Sequence, residues 1–134
     1  MKRKIFFVMV AVIAAVSMLM LTSCSKENRI EGRWVIRRVS DNLMGTGTEG
    51  HTWTFRDNRT CLIYLDGEDL EGNWSISGDN LTIGVNYYYN GEDYKFTGDF
   101  TITNLGRKEL SLTGKWILAS TGNGSDDVSY RFDR

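Results

Sequence analysis

Few residues in this chain have the chemistry to act on another molecule. His51 is the sole histidine, and Cys24 and Cys61 are the only cysteines. A structural zinc site takes about four soft ligands, so these three residues cannot build one. His51 could ligate a haem or a metal at the mouth of a fold, or simply pack or face solvent, which a lone histidine does more often. Residues 121–127, Thr-Gly-Asn-Gly-Ser-Asp-Asp, carry oxygen ligands. Calcium requires about 6–8 oxygens arranged around it, and this stretch lacks such spacing, so it reads as a turn. No nucleophile stands in a recognisable elbow, and the only general bases besides His51 are scattered carboxylates. Catalysis, a bound metal and a cofactor are therefore not expected. Two richer features remain. Arg33, Arg37, Arg38, Arg56 and Arg59 make the early part basic, suited to an anionic ligand, to lipid headgroups or simply to solvent. Trp34, Trp53, Phe55, Trp74, Tyr87, Tyr94, Phe96, Trp116 and Tyr130 form an aromatic stripe that could line a ligand pocket or fill a core.

Charge narrows the classes. Sixteen basic residues against 17 acids give a net charge of −1, so nucleic acid is not an expected partner of the whole chain. A length of 134 residues predicts one domain. The N-terminus departs from the rest. Lys2, Arg3 and Lys4 precede an apolar run, 5–21, broken only by Ser17, and Leu21-Thr22-Ser23-Cys24 follows. A basic start, an apolar stretch and small residues before a cut describe a secretory signal. A run of this length also lies at the lower limit for crossing a bilayer, which leaves an uncleaved anchor as the alternative. Leu21-Thr22-Ser23-Cys24 resembles the bacterial lipobox. That resemblance implies diacylglyceryl transfer to the Cys24 thiol, cleavage before Cys24 and N-acylation of the new terminus. Several acyl chains, palmitate among them, would tether the protein, since one chain alone holds only marginally. Removing 1–23 takes away three basic residues and no acid, so the net charge becomes −4. Residues 24–30 then form the lipidated cysteine and a short tether, and 31–134 the domain. The resemblance implies a cell-envelope address in a Gram-negative bacterium, on the outer membrane, facing the periplasm or the surface. With Cys24 acylated, Cys61 has no intramolecular disulfide partner and is expected to be a small buried apolar residue.

From residue 31 the pattern alternates every second residue, the signature of strands with one apolar face. Eight such runs span 33–40, 51–57, 60–66, 70–77, 80–89, 93–104, 108–120 and 127–133. The inward sets include Trp34 and Ile36; Trp53 and Phe55; Leu70, Trp74 and Ile76; Leu81 through Tyr89 in steps of two; Tyr94, Phe96, Phe100 and Ile102; Leu110, Leu112, Trp116 and Leu118; Val128, Tyr130 and Phe132. The run 60–66 is apolar on both faces, so its phase is open. Gly98 falls on an inward face and marks a bend or a close packing point; Gly114 marks a bend. Asp66-Gly67, Ser77-Gly78-Asp79, Asn90-Gly91 and Asn104-Leu105-Gly106 supply the positive φ angles of tight turns. The expected fold is all-β, an eight-stranded antiparallel up-and-down barrel or two packed sheets, and a barrel removes both sheet edges. The longest connector, 40–50, contains Leu43 and Met44 as a possible apolar lid or rim contact.

Gly32-Arg33-Trp34 resembles the Gly-x-Trp that opens lipocalins and fatty-acid-binding proteins. Together with 55–60, 74–81 and 104–112, it is similar to small lipocalin-like bacterial lipoproteins over about residues 30–133. The resemblance implies that Gly32 and Trp34 close the barrel floor against a basic side chain from a late strand, for which Arg131 is the candidate. It also implies a small apolar or amphipathic ligand near Trp53, Phe55, Trp74, Tyr87, Tyr94, Phe96, Trp116 and Tyr130. An eight-stranded barrel is just wide enough to be filled by side chains or to hold one small ligand. The alternative is thus a filled, ligand-free barrel that serves as an inhibitor or accessory subunit of an envelope complex.

Overall fold

The computed structural model describes residues 26, 29–40, 48–65 and 67–134. The leader, Cys24, Leu43 and Met44 lie outside the described residues. Eight strands follow one another: β1 (Gly32–Val39), β2 (Thr52–Phe55), β3 (Thr60–Leu65), β4 (Glu68–Ser77), β5 (Asn80–Tyr89), β6 (Glu92–Leu105), β7 (Glu109–Leu118) and β8 (Val128–Asp133). Each pairs antiparallel with the next, and β8 returns to β1, so the sheet closes into a barrel. Every strand is thereby paired on both sides over at least part of its length, and no strand serves as a sheet edge.

The alternation translates into burial. Trp34, Ile36, Trp53 and Phe55 point inward, as do Leu81, Ile83 and Val85. The ambiguous third strand resolves the same way: Cys61, Ile63 and Leu65 are buried, and Thr60, Leu62 and Tyr64 are half-buried. Several inward assignments loosen towards the strand ends: Tyr89 is 54% exposed, and Ile76, Tyr87, Tyr94, Phe96 and Leu118 are half-buried. β2 stops at Phe55 because the next residues turn: Asn58 Oδ1 accepts from the Thr60 N–H at 3.1 Å and from its hydroxyl at 2.6 Å, and Arg59 sits at φ 69°. β7 ends at Leu118, whose N–H donates to Asn123 O across the 119–127 loop. Gly67, Gly78 and Gly91 take the positive φ expected of their turns; Gly106 does not.

Glycines set the two tightest strand contacts. A Cβ on Gly72 would lie 2.0 Å from Gly84 O, and one on Gly114 would lie 1.9 Å from Asp99 O. A Cβ on Gly98 would meet the Phe100 and Trp116 rings at 2.4 and 2.9 Å. Gly98 is thus a packing point that makes room for two aromatic rings.

One end of the barrel is plugged. The Trp34 indole N–H donates to Ile30 O at 2.7 Å, and Ile30 is fully buried. A guanidinium stacks on Trp34, but it belongs to Arg134, whose Cζ lies 4.0 Å from the ring centroid. Arg134 Nη1 and Nη2 donate to Glu31 O and Arg29 O, each at 2.8 Å, and Nε donates to Arg107 O at 2.7 Å. Gly32, at φ 123°, leaves room for this arrangement, because a Cβ there would lie 3.3 Å from Arg134 Nη1. Arg131 instead faces outward and pairs with Glu109 at 3.2 Å. The reason is parity: Val128, Tyr130 and Phe132 point inward, so residue 134, not 131, continues their face.

Candidate functional site

The barrel interior is packed with rings. Trp53 sits at the centre, with centroids 4.7 Å from Tyr130, 4.8 Å from Phe132, 5.9 Å from Trp116, 6.1 Å from Phe100 and 6.5 Å from Phe55. Phe55 meets Trp74 edge-on at 5.6 Å. These tilted and edge-to-face contacts are favourable ring geometries beyond simple area burial. Of the proposed ligand contacts, Trp53, Phe55, Trp74, Trp116 and Tyr130 therefore spend their faces on one another.

Their polar atoms are also engaged. Trp53 Nε1 donates to Tyr64 O, Trp74 Nε1 to Arg56 O and Trp116 Nε1 to the Tyr130 hydroxyl, all within 3.0–3.1 Å. Among the described residues, no buried side-chain nitrogen or oxygen lacks a hydrogen-bond partner. The core hence offers no stranded polar group to orient a ligand. Burial pushes the Tyr130 phenol up to about 12, although the Trp116 donor favours its ionised form. Burial likewise pushes the Cys61 thiol up to about 12, against a smaller opposite pull from Arg56.

These two groups give the barrel an alkaline limit. Both are raised in the fold, so their neutral forms stabilise it below the unfolded values, 9.0 for Cys61 and 10.0 for Tyr130. That stability is lost as pH rises from about 9 to about 12, because the unfolded chain then releases protons that the folded chain retains. The slope is on the order of 1.4 kcal/mol per pH unit for each group in its window. Urea midpoints measured across this range should fall, and C61A with Y130F should flatten the fall.

The remaining three proposed contacts lie together at the opposite end from Arg134. The β4–β5 ladder stops at Gly72↔Val85, whereas β5–β6 pairing continues to Tyr89↔Glu92. The β5–β6 hairpin thus outruns its pairing with β4 and carries Tyr87, Tyr89, Tyr94 and Phe96 to the rim. With Leu118 they line a shallow concavity of ≈ 380 Å³. The Tyr87 and Tyr89 rings are nearly parallel, 11° apart with centroids at 6.1 Å, and Tyr87 lies 6.3 Å from Phe96. The Tyr94 ring is half-buried but its hydroxyl is at the surface, donating to Glu92 Oε2 at 3.0 Å. That bond to the carboxylate holds the Tyr94 phenol above its ordinary range. Tyr88, on the other face of the hairpin, is 67% exposed. Tyr89 and Leu118 enter this site as residues that the ligand-contact set omitted.

The other chemical candidates are otherwise occupied. His51 stacks flat on Tyr64, centroids 3.6 Å apart and planes 1° apart. No group of three or more His, Cys, Asp or Glu side chains is placed to hold a metal among the described residues. A second depression, ≈ 280 Å³, crosses the barrel wall between Arg38, Ser40, Thr103, Ser111, Ser129 and Arg131.

The architecture defines the class: a closed, eight-stranded, all-antiparallel up-and-down β-barrel, which fits a lipocalin-like fold. Comparison with known proteins finds no matching family model, no matching curated protein and no matching solved structure.

Proposed function

We propose that this chain is a lipid-anchored envelope protein whose barrel holds a small amphipathic molecule on its tyrosine-lined rim, in a binding role without catalysis. The carrying observation is the concavity of Tyr87, Tyr89, Tyr94, Phe96 and Leu118 above a core already filled by rings. Apolar faces bordered by phenol hydroxyls and the Glu92 carboxylate suit a flat apolar body with a polar edge. Native mass spectrometry with bile-acid-like, retinoid and lysolipid probes should give a one-to-one adduct. Y89A should weaken it about fivefold, the effect of losing roughly 1 kcal/mol of ring contact. A clean apo mass with every probe contradicts the reading.

The filled core and the exposed Tyr88 and Tyr89 favour one second reading, a docking module for an envelope protein. It predicts a stable partner in crosslinked pull-downs from membranes, lost on Y88A/Y89A.

The anchor is supported by Leu21-Thr22-Ser23-Cys24 after a basic and apolar leader. C24A should leave an unprocessed precursor that takes up no palmitate label. Normal maturation of C24A refutes the anchor.

A further inference from the structure

Charge is distributed unevenly along the barrel axis. Arg29, Arg33, Arg56, Arg107, Lys108 and Arg134 are all exposed and lie around the plugged end. Arg59 joins them, its guanidinium 4.9 Å from the Trp74 ring centroid. Of the described acids at this end, Asp79 pairs with Lys26, Glu109 with Arg131 and Asp133 with Arg37; Glu31 and Asp57 are the others among the described residues. The opposite rim carries Glu49, Glu68, Asp69, Glu92, Asp93 and Asp127, all exposed, against the exposed Lys95 between Tyr94 and Phe96. The domain is acidic in total, yet one end is basic.

The chain enters the barrel at that basic end. Lys26 bonds to Asp79 and to Gly78 O in the β4–β5 turn, and Arg29 donates to Leu105 O at the end of β6. Cys24 is two residues earlier, so chain reach keeps it within about 7 Å of Lys26. From these placements we infer that the plugged end is a docking face for anionic lipid headgroups, so that the barrel stands on the bilayer with its tyrosine rim turned away. The inference rests on the anchored reading of Cys24. Acyl chains entering the membrane near Lys26 bring the arginines within a Debye length of the surface, about 8 Å at physiological ionic strength, where basic residues are attracted to anionic lipid. The acidic rim is repelled by the same surface, and both terms select one orientation.

The full acylated chain, reconstituted on vesicles, tests this. A fluorophore is placed at S77C, in the plugged end, or at Y88C, on the rim; Cys61 is buried and does not compete. Iodide quenching is read on vesicles of phosphatidylcholine, with and without about a third of phosphatidylglycerol. On anionic vesicles the S77C label should be quenched at least threefold less than the Y88C label. That protection should shrink on neutral vesicles and in R56E/R107E. Equal quenching at the two positions, with the chain still retained on anionic vesicles, overturns the inference alone. Release of the chain by a high-salt wash, with Cys24 taking up the label, overturns the anchored reading and the inference with it.

Discussion

W53A should lower the stability of the barrel by about 4 kcal/mol, within the range of roughly 3–5 kcal/mol for truncating a buried aromatic to alanine. Trp53 is fully buried and touches five other rings, so no single neighbour can collapse into the space it leaves. The Tyr64 carbonyl also loses its donor. Urea unfolding of the leaderless barrel should show the loss as a lower midpoint. Each 1 kcal/mol moves the thermal midpoint of a domain near this size by about 4–8 °C, so a drop of roughly 15–30 °C is expected. W53F keeps most of the ring contacts and should cost less than half as much. If W53A unfolds within 1 kcal/mol of the parent, the interior is not the packed aromatic body described here.

G114A should be nearly as damaging although it adds a single methyl group. Its Cβ would sit 1.9 Å from Asp99 O and 2.7 Å from Phe100 Cα, both backbone atoms of the paired β6 strand. Backbone cannot rotate aside as a side chain does. Relief requires β6 and β7 to separate at Phe100↔Gly114, and the expected cost is about 3 kcal/mol, at the upper end of overpacking effects. G72A meets the same obstacle, 2.0 Å from Gly84 O. G84A is the control across that same strand pair, because its nearest neighbour is the flexible end of Lys95 at 3.9 Å. It should leave stability within about 1 kcal/mol, or raise it slightly by restricting the unfolded chain. Equal effects of G72A and G84A would show that β4 and β5 do not approach as closely as described.

Much of the fold was legible because its period is short. Inward and outward residues alternate from Trp34 to Phe132, and Asn90-Gly91 and Ser77-Gly78 mark hairpins with little ambiguity. The 60–66 phase stayed open because Leu62 and Tyr64 are as apolar as Cys61 and Ile63. Only pairing on both sides, Phe55↔Cys61 and Ile63↔Leu70, settles it. Arg134 was readable in principle. Extending the Val128, Tyr130, Phe132 series by one step reaches it, although Arg134 is polar and lies past the apolar residues that mark the strand. The rim was not readable. It depends on where the β4–β5 ladder stops, at Gly72↔Val85, and the extent of pairing between strands is not encoded by alternation within each strand. Hence Tyr89 looked like the fifth inward residue of its strand, whereas it stands at the mouth beside Tyr87.

The central claim is that the core is full and that any small ligand sits on the rim. NMR of the leaderless barrel titrated with a bile-acid-like amphiphile tests it most directly. Saturable shifts are expected at Tyr87, Tyr89, Tyr94, Phe96 and Leu118, with the Trp53 and Trp116 indole N–H signals unmoved. Saturable movement of those two indole signals, with the rim tyrosines unchanged, would place the ligand inside the barrel and contradict the claim.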